Sequence, residues 1–134
     1  MALKRTKLLG IKSVTGIATV GILTIGTTET AGGVGIASTR YLRGVLMHNT
    51  GIATATSSLY VYPSDVSDVS VGQTAYRIAR VDVAANETFF FEMNYPLVLV
   101  HQEKIIAEVT APSSGGVGVG SAVNFQILGD TDIV

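Results

Sequence analysis

Apolar and polar positions alternate with a period of two through most of this chain, while recurrence at three and four residues is absent over any useful length. Tyr41–His48 is the clearest case, with Leu42, Gly44 and Leu46 on one side and Tyr41, Arg43, Val45 and Met47 on the other. Asn49-Thr50-Gly51 then supplies residues that tolerate a tight reversal, and Ile52–Tyr62 returns with Leu59 and Val61 opposite Tyr60 and Tyr62. These segments predict a β-hairpin. Pro63–Gly72 reads as a polar excursion and Ala75–Val83 as a strand. Ala84–Glu87 reads as a turn, and Thr88–Met93 as a strand with Phe89, Phe91 and Met93 on one face. Asn94-Tyr95-Pro96 breaks the pattern before a short strand, Leu97–His101. Gln102-Glu103 turns into Lys104–Thr110, and Ser113–Gly120 forms a glycine-rich loop. Ala122–Leu128 closes the series with Val123, Phe125 and Ile127 on one face. The expected core is Leu42, Leu46, Leu59, Val61, Phe89, Phe91, Val123, Phe125 and Ile127. Phe89 and Phe91 lead that set because aromatic rings contribute the largest buried areas.

The opening segment follows a different pattern. From Leu8 to Ile25 both faces of the extended chain are apolar, so both need cover. Lys12 interrupts the apolar run and fewer than about 20 residues are continuously apolar, which argues against a membrane span. The basic residues before the run imitate a signal peptide, but recurrent Gly and Thr favour a retained extended segment. The expectation is an N-terminal arm and linker over residues 1–35 and a β-sandwich over residues 36–134. The arm would gain its order by adding to a neighbouring subunit's sheet through Ile17, Val20, Ile22, Leu23 and Ile25. Lys4, Arg5 and Lys7 would meet an acidic surface, and Thr27–Gly35 would be a flexible connection.

Composition adds limits. A chain of 134 residues fits one domain, and the absence of Cys excludes disulfides, thiolate metal sites and a cysteine nucleophile. The first twelve residues hold four of the nine basic groups and no acidic one, too few for a nucleic-acid face. His48 and His101 share no metal-ligand spacing. Asp65 with Asp68, and Asp130 with Asp132, lack a calcium-loop pattern. Alternation sends Glu87 and Glu92 to opposite sides, which disfavours a glycosidase pair. The Gly115–Gly120 run lacks the Lys-Ser/Thr and the helix of a phosphate loop. Arg40, Arg43, Arg77 and Arg80 form no common stripe, and Asn86-Glu87-Thr88 matches a glycosylation sequon. No catalytic, cofactor-binding or metal site is expected, and the chain reads as a non-enzyme. The fold class is all-β, a jelly-roll-like antiparallel sandwich with an extended N-terminal β-arm; an immunoglobulin-like sandwich is the alternative.

The segments YLRGVLMHNTGIATATSSLYVYP and NETFFFEMNYPLVLVHQEKIIAEVT carry a resemblance. A strand ends in HNTG, ETFFFEM leads to a Pro and an apolar strand, and a QEKI turn enters another. This pattern, from Arg40 to Leu128, resembles small virion structural proteins of tailed bacteriophages, particularly marine and cyanobacterial phages. The resemblance implies a jelly roll assembling as trimers or higher rings and serving as a capsid cement or decoration protein. Its partners would be further copies of itself and the major capsid protein or other virion proteins, with no nucleic acid, membrane or cofactor. Its place would be the virion, on the capsid surface or the tail. Tail or baseplate accessory is the alternative, as is a receptor- or carbohydrate-binding tip presenting Tyr41, Tyr60, Tyr62, Tyr76 or Tyr95 to sugar faces.

Overall fold

The computed structural model of the chain describes residues 2–15, 18–25, 27–29, 35–37, 39–68, 72–110 and 122–133. The described residues are almost wholly strand, and one 3-10 turn (Thr74–Tyr76) interrupts them. The strands are β1 (Ala2–Thr15), β2 (Ala18–Thr24), β3 (Thr27–Glu29), β4 (Gly35–Ala37), β5 (Arg40–Asn49), β6 (Ala55–Tyr62), β7 (Arg77–Val83), β8 (Thr88–Leu99), β9 (Lys104–Thr110) and β10 (Ala122–Ile133). They form two four-stranded antiparallel sheets, ordered β1-β10-β5-β8 and β2-β9-β6-β7, with a small β3-β4 pair beside them.

One apolar core lies between the sheets. Val14, Leu42, Val45, Met47, Val123, Phe125 and Ile127 come from the first sheet, and Ile22, Leu59, Ile105, Ala107 and Val109 from the second. The alternating rows of β9 and β10 point inward as their period predicts: Ile105, Ala107 and Val109 from one, Val123, Phe125 and Ile127 from the other. Leu42 and Leu59 are likewise fully buried, while Val61 and Phe91 are partly buried against the core.

Two expected core residues are placed differently. Leu46 is half-buried on the outer face, because a bulge at Arg43 resets the alternation of β5. Leu42 pairs with Leu97 while Gly44 pairs with Glu92, so four residues of β8 pass opposite the single Arg43. After this bulge Val45 and Met47 turn inward and Leu46 turns out. Phe89 shares the inward face with its register partner Met47, but β8 is an edge strand and leaves Phe89 38% exposed.

The predicted hairpin of β5 and β6 does not form. These strands belong to different sheets, and residues 50–54 make a corner between them. Asn49 builds that corner: its Nδ2 donates to the carbonyls of Ala53 (2.9 Å) and Val83 (2.8 Å), and its Oδ1 accepts from the Gly51 N–H (2.8 Å). A side chain bonded in both directions, and wholly buried, ties the corner to the end of β7. Two further crossings share a different device, a backbone turn around a residue of positive φ. The Glu87 N–H bonds the Ala84 carbonyl with Asn86 at φ 60°, and the Glu103 N–H bonds the Val100 carbonyl with Gln102 at φ 68°.

The N-terminal arm also requires correction. β1 pairs with β10 of the same chain from Ala2↔Ile133 to Thr15↔Ala122, and β2 pairs with β9 from Ala18↔Val109 to Thr24↔Lys104. Residues 1–35 therefore supply two of the eight sandwich strands, and the boundary placed at residue 35 divides one core. The segment is apolar on both sides because it is two strands in two sheets, each contributing inward residues: Val14 from β1 and Ile22 from β2. Ile25, just after β2, is 2% exposed and exchanges backbone hydrogen bonds with Gln102 and Glu103. The connection expected to be flexible, Thr27–Gly35, holds β3 and the first residue of β4, with which β3 pairs. Ile17, residues 30–34 and the loop at 113–120 lie outside the described residues.

Candidate assembly surfaces

The polar groups singled out in the sequence do not converge. Among the described residues, no three His, Asp or Glu side chains stand close enough to hold one metal ion. His48 Nδ1 lies 2.8 Å from Thr88 Oγ1, its register partner across the β5-β8 ladder. Arg43, at the bulge, donates from Nε to Asp130 Oδ2 at 2.5 Å, with Asp130 nearly buried. This pair braces the place where β5 and β10 also slip register, and where Gly129 is needed. A Cβ there would stand 2.0 Å from the Tyr41 carbonyl oxygen. Asp65, Asp68, Glu87, Glu92, Arg77 and Arg80 are exposed.

A second apolar cluster covers the outer face of the β2-β9-β6-β7 sheet. Residues 63–68 and 72–76 lie against it, so that Val66 and Tyr76 pack on Tyr60, Tyr62 and Ile106. Tyr62 meets Tyr60 and Tyr76 edge-on, with ring centroids 6.1 and 5.4 Å away. The Tyr62 hydroxyl accepts the Gln73 N–H (2.9 Å), and Lys104 Nζ donates to the Val66 carbonyl (2.9 Å). Beneath the excursion Tyr60 donates to Glu108 Oε1 (2.7 Å), and Thr19 donates to Glu108 Oε2 (2.8 Å). Burial, reinforced by the bond to the Glu108 carboxylate, raises the Tyr60 pKa above the ordinary phenol value. The network closes on itself. Tyr60 and Tyr62 are 1% and 0% exposed, so neither presents a face to a sugar. Tyr95 stands out at 87% exposure.

The chain's unpartnered character lies at its sheet edges. Seven large hydrophobic side chains are exposed among the described residues; five follow the β8 border of one sheet and a single one lies on its opposite border, β1. Ile11 is on β1. Phe89, Phe90, Tyr95 and Val98 are on β8, and Val100 follows it directly. The remaining one, Ile52, marks the β5-β6 corner. Edge strands carry unpaired backbone N–H and C=O groups, and apolar side chains beside them favour pairing with another chain. Of the expected arm residues, Val20 and Leu23 are partly buried against the chain's own core, beside the buried Ile22 and Ile25. The backbones of Lys4, Arg5 and Lys7 pair with Thr131, Asp130 and Leu128. Alternation along the sequence does not distinguish an edge strand from a central one; the signal that β8 is an edge was Pro96 inside it, which has no N–H to give a ladder.

No protein-family model and no curated protein matches the chain.

Proposed function

We propose that the chain is a virion structural protein, a cement or decoration subunit that stabilises the head of a tailed phage through contacts between subunits. The observation that carries this reading is the nesting of strand pairs: β1 with β10, β2 with β9, β5 with β8 and β6 with β7, split between two sheets. Such nesting is what a folded-over double Greek key produces, and it supports a jelly roll, an architecture used in viral capsids among other settings. The HNTG and ETFFFEM segments support the same reading, since one is the corner built on Asn49 and the other is the exposed edge strand β8. Apolar edges suit a protein whose working state is an assembly.

The test is electron cryomicroscopy of tailed-phage particles whose genome encodes the chain, with mass spectrometry of the same particles. Density for the sandwich at regular positions on the head is the expected result. Density on the tail would favour the accessory role, and absence from purified particles would overturn the virion reading. Tyr95 keeps a receptor-binding tip in view as the second reading. Glycan binding that disappears in Tyr95→Ala would favour it.

A further inference from the structure

We infer that β1 of one copy pairs with β8 of the next, so that subunits join head to tail by extending one sheet. This rests on the reading of the chain as an assembly protein and names the surface that does the assembling.

The first argument is strand direction. In the order β1-β10-β5-β8 every neighbouring pair is antiparallel, so the two border strands run in opposite directions. Setting β8 of one subunit beside β1 of a second, similarly oriented subunit therefore continues the antiparallel pattern. The second argument is charge. The β1 strand carries Lys4, Arg5, Lys7 and Lys12 and no acidic residue. The β8 strand carries Glu92, with Glu87 just before it, and no Lys or Arg occurs from Val81 to Glu103. Opposite charges across a boundary steer the encounter and set its register. The third argument is apolar exposure, which falls on these two borders: Ile11 is 69% exposed on one, and Phe90 and Val98 are 45% and 52% exposed on the other.

A head-to-tail contact of β1 with β8 fits better than a two-fold pairing of β8 with the β8 of a second copy. Self-pairing would gather Glu87 and Glu92 of both copies on one short ladder and would make no use of β1. The contact is also self-limiting. Pro96 lacks an N–H, and the residues opposite Arg43 bulge, so β8 offers two short regular runs, Thr88–Glu92 and Leu97–Leu99, instead of one long ladder. Register shifts between Lys7 and Lys12 blunt β1 in the same way. A short ladder gives concentration-dependent association, and a head-to-tail contact closes into a ring when its rotation permits.

The test uses the full chain in sedimentation velocity from dilute to concentrated solution. Wild type is expected to rise above monomer mass with concentration. Ile11→Glu with Lys12→Glu alters one border, and Glu92→Lys with Val98→Lys the other; all four positions are exposed. Each double variant alone is expected to stay monomeric, and their equimolar mixture to regain a larger mass because the native β8 border of one variant meets the native β1 border of the other, whichever way the two reversed borders behave. Far-UV circular dichroism checks the fold, and where a double variant unfolds, Lys12→Glu or Val98→Lys alone replaces it. Wild type that is monomeric throughout, a β1 variant that still associates, or a mixture that stays monomeric overturns the inference. Monomeric protein found on particles separates failure of this contact from failure of the virion reading. Assembly without any presence on particles separates the reverse.

Discussion

Deleting residues 1–25 distinguishes a strand that completes a sandwich from an arm that leaves it. The deletion removes β1 and β2, one border strand from each sheet, together with the buried Val14, Ile22 and Ile25. Full burial of a side chain of that size contributes about 1.5–3 kcal/mol, so the three together account for roughly 5–9 kcal/mol. Native domains have about 5–15 kcal/mol in all. The loss also strips one neighbour from β10 and β9, exposing the flanks of Phe125, Ile127 and Val109. The truncated chain is therefore expected to show no cooperative urea transition by far-UV circular dichroism. Ile22→Ala is the graded version: about 2–5 kcal/mol lost. With a urea slope of about 1–3 kcal/mol/M, its midpoint should fall by roughly 0.7–5 M, about 1.8 M at the middle of both ranges. A truncated protein that unfolds cooperatively at the full-length midpoint would refute the placement of β1 and β2 in the chain's own sheets.

Other expectations follow from single sites. Asn49→Ala leaves the Ala53 and Val83 carbonyls and the Gly51 N–H without their partner, and should cost about 2–4 kcal/mol in denaturant unfolding. Tyr60 has a raised folded pKa, so the fold favours its protonated form. Its contribution is complete below the unfolded value of 10.0 and is lost as pH rises through the folded value. Tyr60→Phe should destabilise the protein at neutral pH, and the gap to wild type should narrow above pH 10.0, checked by urea midpoints across that range. Gly72→Ala would put a Cβ 2.6 Å from the Tyr60 hydroxyl and 2.7 Å from Glu108 Oε2. It should lower stability by about 1–3 kcal/mol and loosen the 63–76 excursion, read by thermal melting and by proteolysis there. Gln102→Gly relieves a left-handed residue at φ 68° and should be neutral or stabilising by up to about 1 kcal/mol, measured as a change in the urea midpoint.

The sequence alone determined the strand class, the positions of most turns and the inward rows of the central strands. Val123, Phe125 and Ile127 follow strict alternation on β10, and the turn at Ala84–Glu87 contains an Asn that accepts positive φ. These are properties of a few neighbouring residues, so a local pattern carries them. Tertiary structure decided what those patterns could not hold. Asn49-Thr50-Gly51 announces a reversal in either case, and long-range bonding to Val83 makes it a corner between sheets instead of a hairpin. Alternation on β5 is interrupted at Arg43 because four residues of β8 must pass there, which reverses Leu46 relative to Leu42. Tyr60 and Tyr62 are buried by an excursion whose own sequence reads as solvated. Whether a strand is central or at a border depends on partners as remote as Ala2 and Ile133, and no short-range periodicity encodes a pairing across that distance.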